Sequence, residues 1–224
     1  MMEPSNSQEC YEMAKDAFEI SEKYNTIVMI RTTTRVSHSK SLVEYGERKE
    51  CEIKDYNREM GRRRFDAVPA VSRRLRVELE ERLKILAEYS EKLPINFIEW
   101  NDRKIGIITS GVCYNYAKEV FGNTASYLKL GFTYPLPLKK IAEFAKQVET
   151  LYVIEELDPY LENQIKQAGI KCIGKEKIPA IGELNPNIIA ETLLGKKAET
   201  IQVDSDSIID RPPMMCAGCP HRGF

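Results

Sequence analysis

From about Asn96 to Gly195 the chain alternates short apolar runs with amphipathic stretches, and this alternation restricts the fold more than any other feature. Ile105-Gly106-Ile107-Ile108-Thr109 reads as a buried strand, Val112 to Phe121 as a helix closed by Gly122, and Ser126-Tyr127-Leu128-Lys129-Leu130 as the next strand. A helix follows over Leu138–Gln147, behind Pro135 and Pro137. Then come a strand over Leu151–Ile154, a helix over Tyr160–Ala168 ending at Gly169, and a strand over Ile170–Ile173. The last helix, Pro186–Leu194, stops at Gly195, where a glycine can take the left-handed turn that ends a helix. Repeated βα units of this length predict an α/β domain with a doubly wound, mainly parallel sheet covered on both faces.

The flanks read differently. Ser5-Asn6-Ser7-Gln8 has the form of a capping box, with Met13, Ala14, Ala17 and Phe18 following at helical spacing. The β-rich run Thr26–Thr34 reads as a strand and the polar stretch Arg35–Ser41 as a loop beyond it. One helix and one strand cannot bury themselves, so this unit is expected to need a sheet from elsewhere. Residues 46–68 form a connector. Residues 69–93 read as a long amphipathic helix with Val71, Leu75, Leu79, Leu83 and Leu86 on one face, ending before Pro94. The pairs Glu78/Arg82, Glu80/Lys84 and Glu88/Lys92 are placed to bridge on its outer side. Residues 196–210 are polar and acidic, as an interdomain linker would be.

Charge narrows the function classes. With 33 basic and 34 acidic residues the net charge is −1, which makes no case for a nucleic-acid or anionic-membrane partner. The Arg62-Arg63-Arg64 run sits among acids with no aromatic ladder, so a solvated linker is the simpler reading. No run of apolar residues is long enough to span a bilayer and Met1-Met2-Glu3-Pro4 does not open a signal peptide, so a cytoplasmic location is expected.

Four of the six cysteines, Cys10, Cys51, Cys113 and Cys172, are scattered singly and read as small hydrophobes. Cys216-Ala217-Gly218-Cys219 is spaced to present two thiolates, with Gly218 allowing a tight turn between them. An iron–sulfur cluster, zinc, a redox pair and chance all remain open for such a pair. His221 and Arg222 stand beside it, and Arg222 suits a phosphate, so the loop can meet a cofactor as well as a metal. Neither a cluster nor a zinc site is complete by Phe224, which suggests that the chain is a piece of a larger enzyme. Thr109-Ser110-Gly111 lies before a helix N-terminus, whose N–H groups suit a phosphate or carboxylate, but it matches no nucleotide-binding loop and a plain βα turn is the simpler reading. Glu155-Glu156-Leu157-Asp158 offers carboxylates for acid–base or magnesium chemistry, but helix capping is the simpler role.

Several segments resemble the large (alpha) subunit of the indolepyruvate:ferredoxin oxidoreductases. They are Glu3-Pro4-Ser5-Asn6-Ser7-Gln8-Glu9, Arg31-Thr32-Thr33-Thr34-Arg35-Val36-Ser37-His38-Ser39, Leu128 to Pro137, Val153 to Pro159, and Arg211 to Gly223. The family usually has proline where Ala217 stands. The resemblance implies that residues 1–45 are the end of a thiamine-pyrimidine-type α/β domain and 46–95 a linker and long helix. It makes 96–195 a transketolase C-terminal-like domain, and 196–224 a linker and the opening loop of a thiamine-diphosphate domain.

By the same resemblance, Cys216 and Cys219 are the candidate metal ligands, and Gly218, His221 and Arg222 the candidate cofactor-binding residues. The parent enzyme is expected to decarboxylate aryl 2-oxoacids, pass the acyl group to coenzyme A and reduce ferredoxin. It would carry thiamine diphosphate with magnesium and 4Fe-4S clusters and pair with a beta subunit. The magnesium-binding Gly-Asp-Gly…Asn segment and the cysteine-rich tail are not among these residues, so the chain alone is expected to bind no cofactor and be inactive. A non-catalytic module that braces partner subunits is the alternative.

Overall fold

A computed structural model describes residues 1–48, 50, 68–197, 203, 204, 206 and 208. Its centre is a four-stranded sheet of β1 (Asn96–Glu99), β2 (Ile105–Ser110), β3 (Ser126–Leu130) and β4 (Thr150–Ile154), in the order β1-β3-β2-β4. β2 runs parallel to both of its neighbours, pairing Ile108 with Leu128 on one side and with Val153 on the other. β1 is the antiparallel edge, with Asn96 opposite Leu130.

Successive residues of each inner strand feed opposite faces, as the pleat requires. Ile107, Tyr127 and Ile154 enter one apolar cluster with Cys113, Ala117 and Phe121 of α4 (Cys113–Phe121) and Ile189 of α7 (Pro186–Leu194). Ile108, Leu128 and Val153 enter the other, with Ile141 and Phe144 of α5 (Leu138–Ala145) and Leu161 and Ile165 of α6 (Tyr160–Gln167). Helices thus cover both faces, so the sheet is doubly wound as expected. The strand expected at Ile170–Ile173 is reduced to one bridge, Tyr152 to Ile173.

The amino-terminal region departs further from expectation. The helix α1 (Ser7–Tyr24) is capped by Asn6, whose side chain accepts from Glu9 N, while the Glu9 carboxylate accepts from Ser5 N at 2.8 Å. The cap is therefore built on Asn6, with Glu9 reaching back to Ser5, and not on the expected Ser5–Gln8 pair. Thr26–Thr34 forms no strand: only Ile30 pairs, in parallel with Met2. Thr33 instead caps a short helix, α2 (Thr34–His38), where a loop was expected.

Nor does this region stand apart from the domain. Met13 and Ile20 of α1 pack with Met2, Leu93 and Phe132 in a third apolar cluster. The long helix α3 (Pro69–Lys92) packs Tyr89 against that cluster, buries Leu86 and leaves Val77 and Ile85 exposed, in keeping with the expected stripe. Its bridges are Arg74–Glu78 and Arg76–Glu80, while Arg82 donates to the carbonyl of Asn25 at the end of α1. Asn96 joins α3 to the exit of β3, donating to Ser90 O and Phe132 O and accepting from Phe132 N at 2.8 Å. No described helix is long and apolar enough to cross a membrane.

One tight place follows from this packing. Gly131 accepts from Glu3 N and donates to Ile95 O, and a Cβ there would lie 2.9 Å from that same oxygen. A bonded carbonyl cannot retreat, so Gly131→Ala should lower the urea-unfolding free energy by about 1–3 kcal/mol.

Glu99 ties β1 to α4, accepting from Lys118 Nζ, Asn101 Nδ2 and, at 3.0 Å, the Tyr114 hydroxyl. The Lys118 hydrogen bond holds its carboxyl below the ordinary value of 4.5. A depressed carboxylate stabilises the fold above the unfolded-state value and loses that contribution as pH falls through the folded one. Glu99→Gln should therefore lower stability at neutral pH and flatten the acid limb below about 4.5, as read from urea midpoints across pH.

Candidate functional site

In parallel α/β sheets the chain turns and helix starts at the carboxyl ends of the strands leave a crevice wherever two neighbouring strands send their helices to opposite faces. β2 and β4 are such a pair, since α4 and α6 pack on opposite sides of the sheet. The site is therefore the edge formed by Ser110-Gly111-Val112 after β2, Gly131–Thr133 after β3, and Glu155-Glu156-Leu157 after β4.

Much of this edge is occupied by the chain's own amino-terminal residues. Met2 lies between Ile30 and Phe132, with Met2 N donating to Met29 O and Arg31 N to Met2 O, both at 2.8 Å. The next carboxylate, Glu3, is buried and accepts from Ser110 Oγ at 3.0 Å, Thr133 Oγ1 at 2.9 Å and Arg31 Nη1 at 3.2 Å. Sequence reasoning missed Glu3, because its partners stand far away along the chain.

A second buried charge lies nearby. Lys129 points to the same face of β3 as Tyr127 and is nearly inaccessible. Its ammonium donates to Ser5 Oγ and pairs with Glu9, beside the rings of Phe97 and Tyr114. Burial pushes its pKa down while the Glu9 contact pulls it back up. A lysine at an inward position of a central strand was the available signal, because such a residue is buried only with a partner.

The residues singled out from the sequence prove to have structural roles where they are described. Thr109 Oγ1 donates to Ile154 O, joining β2 to β4. Gly111 takes φ of 54°, so the turn after β2 uses glycine's freedom. Glu155 caps α6, accepting from Leu161 N at 2.8 Å and Glu162 N at 2.9 Å. Burial raises its pKa and those two bonds oppose the rise. Glu156 accepts from Leu184 N. Glu155 has both oxygens engaged, whereas Glu156 is held through one. His38 is exposed at the end of α2.

The group Cys216, Gly218, Cys219, His221 and Arg222 lies outside the described residues, as does Cys51. The described residues do not fit a metal or iron–sulfur cluster. No three ligand-type side chains converge among them. Cys113 is buried with its thiol pushed up to about 12 by desolvation, and Cys172 is pushed up to about 11 by the same cause. Neither is a thiolate at neutral pH, and a thiolate is what binds iron or zinc.

What remains of the edge for a ligand is polar space around Arg31 and Arg35, whereas Glu3 is fully engaged. Glu3→Ala removes the acceptor for three donors at once, so it should cost about 3 kcal/mol or more. Glu3→Gln should cost less, because an amide oxygen still accepts. Equal unfolding free energies for the Ala variant and the parent chain would show that the network carries no stability.

No protein-family model matches the sequence. The chain is 36% identical, over 240 residues and 100% of its own length, to indolepyruvate oxidoreductase subunit IorA of Methanothermobacter marburgensis. It is 34% identical to the IorA subunit of Thermococcus kodakarensis and 32% to that of Archaeoglobus fulgidus, with 99% of the chain covered in each case. It spans 39% of the first relative's length and 38% of each of the other two. A solved 2-oxoglutarate:ferredoxin oxidoreductase from Magnetococcus marinus overlaps 49% of this chain and 20% of its own at 18% identity and a TM-score of 0.38, too loosely to carry structure or function across. The chain is thus a homologue of one continuous part of the IorA subunit.

Proposed function

We propose that this chain is the bracing part of an alpha-type subunit of an indolepyruvate oxidoreductase. In this reading the whole enzyme decarboxylates aryl 2-oxoacids oxidatively, forms an acyl-coenzyme A and passes electrons to ferredoxin. Similarity to IorA along the entire length of the chain is the observation that carries it. Residues 1–45 are the end of a thiamine-pyrimidine-type domain, 96–195 a transketolase C-terminal-like domain, and 196–224 the approach to a thiamine-diphosphate domain. Its partner is a beta subunit, and its place is the cytoplasm.

The geometry supports bracing over chemistry. Glu3, Glu9, Lys129, Asn96 and Glu155 are each spent on joining one element to another. Such fully satisfied polar contacts fix the relative placement of the amino-terminal region and the sheet, a placement that dispersion forces alone would leave less specific. When bound in the larger enzyme, thiamine diphosphate supplies the electron sink for decarboxylation, and 4Fe-4S clusters carry the electrons. The residues proposed to approach these groups are Gly218, His221 and Arg222 for the cofactor and Cys216 and Cys219 for metal. No step of the reaction is assigned to the described residues.

The test is a pair of measurements on the purified chain. Indolepyruvate, coenzyme A and methyl viologen are expected to give no dye reduction with the chain alone, and turnover would refute the bracing role. Mixing with a beta-type subunit of an indolepyruvate oxidoreductase is expected to give a co-eluting complex on size exclusion. Two separate peaks at micromolar concentration would remove the proposed partner.

A further inference from the structure

We infer that the crevice between the carboxyl ends of β2 and β4 binds a small organic oxyanion, a phosphate ester or a carboxylate, held by the guanidinium of Arg35. The location satisfies the topological rule for ligand sites in open α/β sheets, because the two strands diverge there to helices on opposite faces. The amino-terminal region roofs the crevice and leaves two adjoining clefts, of about 520 Å³ and 430 Å³. Arg35 lines both. The larger cleft adds Arg31 and the hydroxyls of Thr32, Thr33 and Thr34. The smaller adds Ser39, Asn115 and Tyr116.

Among this lining, the arginines and hydroxyl-bearing residues are of the kind that donate to an oxyanion. Arg31 uses only Nη1, on Glu3, among the described residues, so Nε and Nη2 remain for another acceptor. Three acids line the clefts: Glu156 and Glu183 are engaged by Leu184 N and by Arg35, and Glu119 borders the smaller cleft.

The Arg35–Glu183 contact shows what the fork accepts. Nε and Nη2 of Arg35 meet the two oxygens of Glu183, the bidentate geometry that a carboxylate or phosphate oxygen pair also offers. The two side chains are 60% and 52% exposed, so water competes for both partners and the pair is readily exchanged. Gly182, beside Glu183, takes φ of 87°, so the turn that carries the acid uses glycine's freedom. Glu183 thus occupies the fork as an exchangeable surrogate for a ligand.

Two further features of the crevice fit a binding role. Tyr116 lines the smaller cleft, and its hydroxyl is sealed from solvent without a hydrogen-bond partner among the described residues, so it is reached only if the cleft wall shifts. Leu157, on the opposite lip, holds φ at 58°, a left-handed conformation that is costly for a branched side chain.

The experiment is calorimetric titration of the 224-residue chain, at ionic strength fixed with sodium chloride, with glycerol 2-phosphate and separately with succinate. One saturable site for either probe is expected, and the probe that saturates identifies the class of oxyanion. Arg35→Met should raise the dissociation constant about tenfold or more, since it removes a charge-assisted fork. Glu183→Gln should lower it by freeing the fork, and by more than the equally charge-removing Glu119→Gln, which does not touch Arg35. No saturation with either probe, or saturation unchanged by Arg35→Met, overturns the inference. So does an affinity that Glu183→Gln leaves unchanged or weakens, a reading available even if Arg35→Met fails to fold. Binding is read without turnover, so the result is separate from that of the oxidoreductase reading.

Discussion

The buried carboxylate of Glu3 is the constraint on which the placement of the amino-terminal region rests. An anion removed from water is tolerable only when donors replace its hydration. Here the donors come from three places, the end of β2, the exit of β3 and Arg31. Satisfying all of them fixes Met2 between Ile30 and Phe132, and that in turn sets the start of α1 against the sheet. Glu9, one turn into α1, then meets Lys129. The order of dependence matters: Lys129 is a buried cation whose ionised form burial disfavours, and it is stabilised only because Glu3 has brought α1 to it.

The sheet and its helices were legible in the sequence because their signal is local. β2, β3 and β4 are apolar on both faces, and each helix ends at a glycine or begins at a proline. Failures occurred where a strand-like sequence had too little edge to pair with. Thr26–Thr34 has the β-branched composition of a strand, but only Met2 pairs with it in a β-bridge, so one bridge forms and Thr33 becomes a helix cap. Ile173 likewise finds only Tyr152. Propensity states what a segment tolerates, whereas the available partner decides what it becomes.

The candidate site was less legible, and for a different reason. Ser110 and Thr133 stand 107 and 130 residues from the carboxylate they satisfy, so no window of sequence displays the network. Resemblance to a known family drew attention to Arg31–Ser39 and Glu3–Glu9 without saying what those residues touch. The structure supplies that: Glu3 and Glu9 hold the fold, and Arg35 faces the crevice.

One edge of the sheet therefore carries two kinds of ion pair, and their exposure separates their roles. Glu3 is sealed, so losing a donor leaves a charge that water cannot reach, and the penalty falls on folding. Arg35 and Glu183 are more than half open, so water competes for both and the pair costs little to exchange. A contact of the first kind cannot serve as a binding site without unfolding its surroundings. A contact of the second kind can open without disturbing the sheet, because Val36 anchors α2 in the fold while Arg35 projects from it. The same two arginine-bearing residues of the Arg31–Arg35 segment thus divide the work, Arg31 tying the segment down and Arg35 leaving it able to receive a ligand.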